Sequence, residues 1–290
     1  MSIVAIKSAE LEVKIKTLGA ELTSVKDNAG KEYIWSGDPA VWGGQCPNLF
    51  PIVSRLRNGE KPNTYVLDGK EYEMGMHGFA KLSEFEVEAK SESSVTFLLK
   101  SNDETRAQYP FEFEYRIVYT LSGRELKIDF ITDNKSDRDM YYSAGSHEGF
   151  ATTGGIENYT AVFDEAETLS KYEVLPSGNI GEVPTPILNG ERELKLSEKY
   201  FEVDALIFFD AKSRGLAIRD DRTGESIHIS FPGFDTLLIW KMPDAEFVCV
   251  EPWAGAPDLS WKVVDDFSKK YRIRTLAPNA QETLTHTISF

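Results

Sequence analysis

At 290 residues, with 41% hydrophobic and 12% aromatic residues, the chain is long enough to bury a large core and too apolar to stay disordered. Its formal net charge of -15 at pH 7 repels phosphate backbones and anionic bilayers, so neither nucleic acid nor membrane is an expected partner. The N-terminal residues lack the apolar core of a signal peptide and no apolar run reaches membrane-spanning length, which predicts a cytoplasmic protein.

Short segments rich in β-branched and aromatic residues succeed one another along the chain, and helical periodicity is scarce. Strands are predicted at residues 10–16, 64–67, 95–99, 111–121 and 125–132, with hairpin turns at Asp68-Gly69 and Ser122-Gly123. In Phe111-Glu112-Phe113-Glu114-Tyr115-Arg116-Ile117 apolar and polar residues alternate with period two, the mark of a strand with one buried face. Residues 169–199 read as a loop-rich excursion because Pro176, Gly178, Gly181, Pro184, Pro186 and Gly190 punctuate them. Further strands are predicted at residues 205–209, 216–219, 226–231, 236–240 and 247–251. A sheet with one apolar face needs a second layer to cover it, so the expected fold is all-β, a large antiparallel β-sandwich forming one domain over residues 1–290.

Chemistry concentrates in three places. His77 lies in Met76-His77-Gly78-Phe79 and His147 in Gly145-Ser146-His147-Glu148-Gly149-Phe150, two of the four histidines in the chain, both beside glycines that let a ligand approach the backbone. Glu251 follows the apolar run Phe247-Val248-Cys249-Val250, and Pro252 is expected to stop strand pairing there, leaving the carboxylate at a sheet margin. Cys46 and Cys249 read as reduced thiols; without a CxxC or HExxH spacing no metal is assigned, and no cofactor is expected.

Three longer stretches, Cys46 to Gly59, Gly75 to Lys81, and Phe231-Pro232-Gly233-Phe234-Asp235 with Val250-Glu251-Pro252-Trp253-Ala254-Gly255, resemble the aldose 1-epimerase (galactose mutarotase-like) family and its LacX-like branch. The resemblance runs in order through nearly the whole chain. It implies a β-supersandwich that interconverts the α and β anomers of an aldose without a cofactor. Where that branch commonly reads Gly-Gly-His-Pro this chain has Ser146 and Glu148 around His147, and Lys81 stands where arginine is usual. Glu148 thereby adds a carboxylate beside His147, with an expected effect on substrate preference.

Mutarotation needs a base for the anomeric hydroxyl proton and an acid for the ring oxygen. Glu251 suits the first role and His147 the second, with nearby carboxylates expected to favour the imidazolium; the resemblance assigns the same pair. It also implies that His77 donates toward the ring oxygen, that Arg55 or Arg57 binds sugar hydroxyls, and that Asp204 does likewise, although Asp204 equally suits the capping of a loop before a strand. Trp253 is the aromatic expected to supply a flat wall for the sugar, ahead of Trp42 and Trp240, while Asp235 is expected to serve a turn. The substrate is expected to be a free hexose. A phosphorylated hexose is the alternative, from the basic cluster of Arg55, Arg57, Lys61 and Lys81. Other readings are a noncatalytic carbohydrate-binding protein and a hydrolase pairing Glu148 with Glu251. The protein is expected as a monomer or homodimer.

Overall fold

The computed structural model describes residues 1–59 and 61–290. Sequence alternation becomes burial most plainly in the strand Phe113–Ser122, where Phe113, Tyr115, Ile117, Tyr119 and Leu121 point inward. On its outer face Arg116 meets Glu88 at 2.8 Å and the buried Asp133 at 3.0 Å, cross-strand pairs that keep the face polar. This strand belongs to a nine-stranded antiparallel sheet. In spatial order the sheet runs Thr185–Lys195, Tyr159–Lys171, Gly215–Asp220, Ser226–Ser230, Gln281–Ser289, Glu125–Asn134, Phe113–Ser122, Ser94–Lys100 and Glu86–Lys90.

A five-stranded sheet packs against it. Its central strand, Phe247–Ala254, pairs on one side with Thr236–Trp240, which in turn pairs with Leu206–Phe208; on the other side lie Ala144–Gly145 and Glu148–Ala151. Val248, Val250, Leu237, Ile239 and Phe208 join the residues of the nine-stranded sheet in one continuous core. Phe163 and Phe208, from opposite sheets, meet edge to face at 6.3 Å. Ile207, Leu238 and Trp253 point the other way, into a second apolar cluster. The five-stranded sheet is thus apolar on both faces: one face makes the sandwich, and the other makes the floor of a cavity covered by loops. A three-stranded sheet of Ile3–Lys7, Leu11–Lys16 and Glu21–Asp27 closes one flank. No helix among the described residues is long and apolar enough to cross a membrane.

The predicted strands all appear, but the excursion at residues 169–199 is in large part a hairpin. Tyr159–Lys171 and Thr185–Lys195 pair along the sheet edge with bulges between Val162 and Glu167, leaving only residues 172–184 outside it. Thr185–Lys195 was hard to read as a strand because it is an edge strand: most of its residues are exposed, so its pattern does not alternate, and an edge tolerates Pro186 and Gly190.

Candidate active site

Glu251 stands in the middle of the five-stranded sheet. The strand Phe247–Ala254 does not stop at Pro252, contrary to the sequence expectation: Pro252 pairs with Leu237 in register, and pairing continues through Trp253. The missing N–H is absorbed on the other side. There the neighbouring chain is broken between Gly145 and Glu148, and Pro252 needs only to accept, from the N–H of Ser146 at 3.2 Å. Glu148 opposite Val250 and Gly145 opposite Trp253 share one register, which sets His147 directly across from Glu251. Nε2 of His147 lies 3.3 Å from Oε1 of Glu251.

Period two explains the composition around His147. Gly145, His147 and Gly149 face the cavity, while Ser146 and Glu148 face the core. A Cβ on Gly145 would come within 2.6 Å of Cδ1 of Trp253, and one on Gly149 within 2.9 Å of the Gln45 carbonyl. The two glycines therefore let aromatic walls close around the imidazole. Trp42 stacks on it at 5.1 Å and Trp240 meets it edge on at 5.5 Å. The indole N–H of Trp35 holds the Trp42 carbonyl at 2.9 Å, fixing the loop that carries this wall.

His77 reaches the same place from a turn. Gly78, at φ 72°, lies so close to Phe50 that a Cβ would sit 2.3 Å from its carbonyl oxygen, a position only glycine fills. The N–H of His77 donates to the Ser54 carbonyl at 2.7 Å, and the N–H of Ser54 donates to Nδ1 of His77 at 3.0 Å. With Nδ1 accepting, the neutral ring carries its proton on Nε2, ready to donate. The ring lies 5.8 Å from that of His147 and 5.5 Å from that of Trp253. Leu49 and Gly145 exchange backbone bonds at 2.9 and 3.1 Å, so the 46–59 segment, the His77 turn and the two strands form one frame.

These side chains line a cavity of about 890 Å³ that also receives Arg55, Lys81, Asp204 and Trp253. Arg57 is not among its walls. Its guanidinium turns to the Ser177 carbonyl at 3.0 Å and its backbone N–H to Asp258 at 3.0 Å, so the two arginines diverge although they are two residues apart. Lys61 is likewise elsewhere, paired with Glu71 at 2.7 Å. Asp235 accepts the Gly255 N–H at 3.0 Å and so serves a turn. Sequence reasoning missed the parts played by Ser54 in fixing the His77 tautomer and by Lys241, which lines the cavity fully buried against Glu198 at 2.5 Å. Nothing local in sequence marks Ser54; its partner is 23 residues away.

Burial sets the electrostatics. It drives the Glu251 carboxyl well above its ordinary value, with Asp204 and Glu148 adding to it and Trp253 opposing. It also lowers His147 to about 3, against the pull of its own backbone carbonyl and with Lys81 helping. The expectation that nearby carboxylates favour the imidazolium is therefore not met: burial is the largest influence on both groups, and it favours the uncharged form of each. Burial, His147, Lys81 and Arg55 together hold His77 far below its usual range, so it too is neutral. Asp204 is raised by burial, its own Oδ1 accepting the Ala205 N–H at 2.8 Å.

Glu148 does not join this site. It points into the sandwich, where its Oε2 accepts the Ser146 hydroxyl at 2.7 Å and lies 3.5 Å from Nε2 of His286. The hydrolase reading that paired Glu148 with Glu251 loses its geometry, since the two carboxyls face opposite sides of the sheet. Cys46 and Cys249 are free and buried. Cys249 shares the cavity-facing row with Glu251, and its sulfur, a ring nitrogen of His147 and a carboxylate oxygen of Glu251 all lie within 4.8 Å of one another.

Residues 1–279 match the aldose 1-epimerase family model. The chain belongs to the aldose 1-epimerase family. It is 34% identical over 263 residues to the chromosomal protein LacX of Lactococcus lactis subsp. lactis, a match covering 87% of each chain. A galactose mutarotase related enzyme from Lactobacillus acidophilus superposes with a TM-score of 0.91 at 30% identity, over 99% of this chain and 97% of that one. A galactose mutarotase-like protein from Lactobacillus casei gives 0.92 at 26% identity over 99% of both. The all-β supersandwich inferred from sequence is the fold of these relatives.

Proposed function

We propose that the protein is a mutarotase that interconverts the α and β anomers of a hexose by acid/base ring opening and reclosure. The observation that carries this reading is the opposed His147–Glu251 pair, 3.3 Å apart on the cavity face of the sheet. The resting pair and the working pair differ by one proton shifted along that contact. With the proton on Nε2 of His147, Glu251 is a carboxylate able to take the proton of the C1 hydroxyl, and the imidazolium is the acid for the ring oxygen. C1 and the ring oxygen are directly bonded, so adjacent side chains serve both ends of the bond that breaks. The open-chain aldehyde turns about its C1–C2 bond, the ring recloses on the other face, and the two residues exchange roles.

His77 donates from Nε2 toward the ring oxygen, and its neutrality keeps a second cation from competing with the His147 imidazolium. Arg55 and Asp204 bind hydroxyls at the rim, and Trp253 supplies the flat apolar wall. The test is the approach of freshly dissolved α-glucose and α-galactose to anomeric equilibrium, followed by NMR. Acceleration by the protein that disappears in Glu251→Gln supports the reading; acceleration unchanged in that variant removes Glu251 as base, and binding without acceleration makes this a carbohydrate-binding protein on the same fold.

A second substrate reading has its own support. Arg55 and Lys81 line the cavity with no ion-pair partner among the described residues, and Nε of Arg55 is buried without a hydrogen bond. In a chain of net charge -15, unpaired cations suit an anionic group on the sugar, so hexose 6-phosphates belong in the same assay.

A further inference from the structure

Behind the cavity wall, next to His147 and Glu251, lies a reactive side chain for which mutarotation has no use. Cys249 precedes Glu251 by two residues on a central strand and so shares its face. It is fully buried beside Trp35, Trp42, Trp240 and Phe247, and its thiol is free. Its sulfur lies within 4.8 Å of a ring nitrogen of His147 and of a carboxylate oxygen of Glu251. We propose that His147, Cys249 and Glu251 form a site for a thiophilic divalent cation, Zn²⁺ foremost, and that the ion silences the enzyme by occupying the acid/base pair. The inhibitory half of this proposal rests on the mutarotase reading; the binding half does not.

The donor set is one imidazole nitrogen, one thiolate sulfur and one carboxylate oxygen, each an ordinary ligand of zinc. The 3.3 Å between Nε2 and Oε1 matches the edge of a tetrahedron around a metal with bonds of about 2.0–2.1 Å. The sulfur has to close by roughly one ångström to complete the third corner at the usual zinc–sulfur distance. The fourth corner opens to the cavity, where water or a sugar hydroxyl completes the coordination. Charge also balances. The thiol and the carboxylic acid each release a proton to solvent, and thiolate plus carboxylate neutralise the dipositive ion in surroundings too apolar for uncompensated charge. A thiolate selects against Mg²⁺ and Ca²⁺, which take oxygen ligands. Cys249 and Glu251 share one strand and His147 sits in the break of the chain beside it, so the three are already neighbours and binding needs no refolding.

Co²⁺ and Zn²⁺ are the probes. Added to chelator-treated protein, Co²⁺ is expected to bind one per chain with the near-ultraviolet charge-transfer absorption of a cobalt–thiolate bond, and Zn²⁺ to bleach it. The band should survive Cys46→Ala and vanish in both Cys249→Ser and Cys249→Ala. In the anomer-exchange assay Zn²⁺ should inhibit the parent protein reversibly, with EDTA restoring the rate. Cys249→Ala should keep turnover within about threefold while needing at least about a hundredfold more Zn²⁺ for the same inhibition. Absence of the thiolate band in the parent protein overturns the site, as does equal Zn²⁺ inhibition of parent and Cys249→Ala. Should the protein turn over no sugar, the mutarotase reading fails, but the cobalt spectrum still decides the site.

Discussion

Among the described residues two buried histidine–glutamate pairs stand back to back across one sheet. His147 and Glu251 face the cavity at 3.3 Å; His286 and Glu148 face the sandwich core at 3.5 Å. His147 and Glu148 are consecutive in sequence, and the pleat alone sends them to opposite sides. Burial acts on both pairs alike, lowering each histidine to about 3 and raising each carboxyl, Glu148 to about 7. What differs is access: His147 is 8% exposed and lines the cavity, whereas His286 is 0% exposed and is not among that cavity's walls. Matched electrostatics do not make matched function. A proton poised between two neutral groups is useful only where a substrate can reach it.

The sharpest way to break the comparison is the same substitution on both sides. Glu251→Gln keeps shape but cannot accept a proton, and anomer exchange measured by NMR is expected to fall by about 10³-fold with the melting temperature little changed. Glu148→Gln, across the sheet, is expected to change the rate by less than about threefold. Comparable losses in the two variants would mean that the core pair takes part in the chemistry.

The core pair should instead appear in acid stability. His286 titrates near 3 when folded, against 6.5 for its ordinary value, so it costs nothing above that ordinary value, and stability is lost as pH falls from 6.5 toward 3. Glu148 and Phe234 face it, and with its carboxyl raised to about 7 Glu148 is largely uncharged across that window. His286→Leu removes the liability and is expected to gain on the order of 2 kcal/mol relative to the parent protein near pH ~5, read by denaturant unfolding. Parallel pH dependence in both proteins would show that the burial of this imidazole carries no such cost.

Facing also separates the arginines, with a smaller effect. Arg55→Ala is expected to lower kcat/KM by about tenfold, and Arg57→Ala, whose guanidinium binds the Ser177 carbonyl, by less than about threefold, provided the folds match by circular dichroism. The opposite ranking would move the sugar toward the Arg57 side.

Much of this was legible along the chain. Alternation exposed strands such as Phe113–Ser122, because a sheet with one buried face writes its geometry into every second residue. The glycines around His147 and the Glu251-Pro252 step marked the site, because close approach of side chains demands missing Cβ atoms. Where alternation failed, so did reading: Thr185–Lys195 is exposed on both faces and hid among loop signals.

The sequence by itself determined the sheet-forming pattern, the family and the side chains from which a site is built. Tertiary structure decided which of them meet. It put Pro252 beside a broken neighbour where its missing donor does no harm, sent Glu148 inward and His147 outward, turned Arg57 away from Arg55, and brought Cys249 to the His147–Glu251 pair. It also set the protonation of the pair, since the cost of desolvating a charge depends on everything packed around it. Composition and local spacing record what each residue can do; facing, access and desolvation arise only when distant strands come into register.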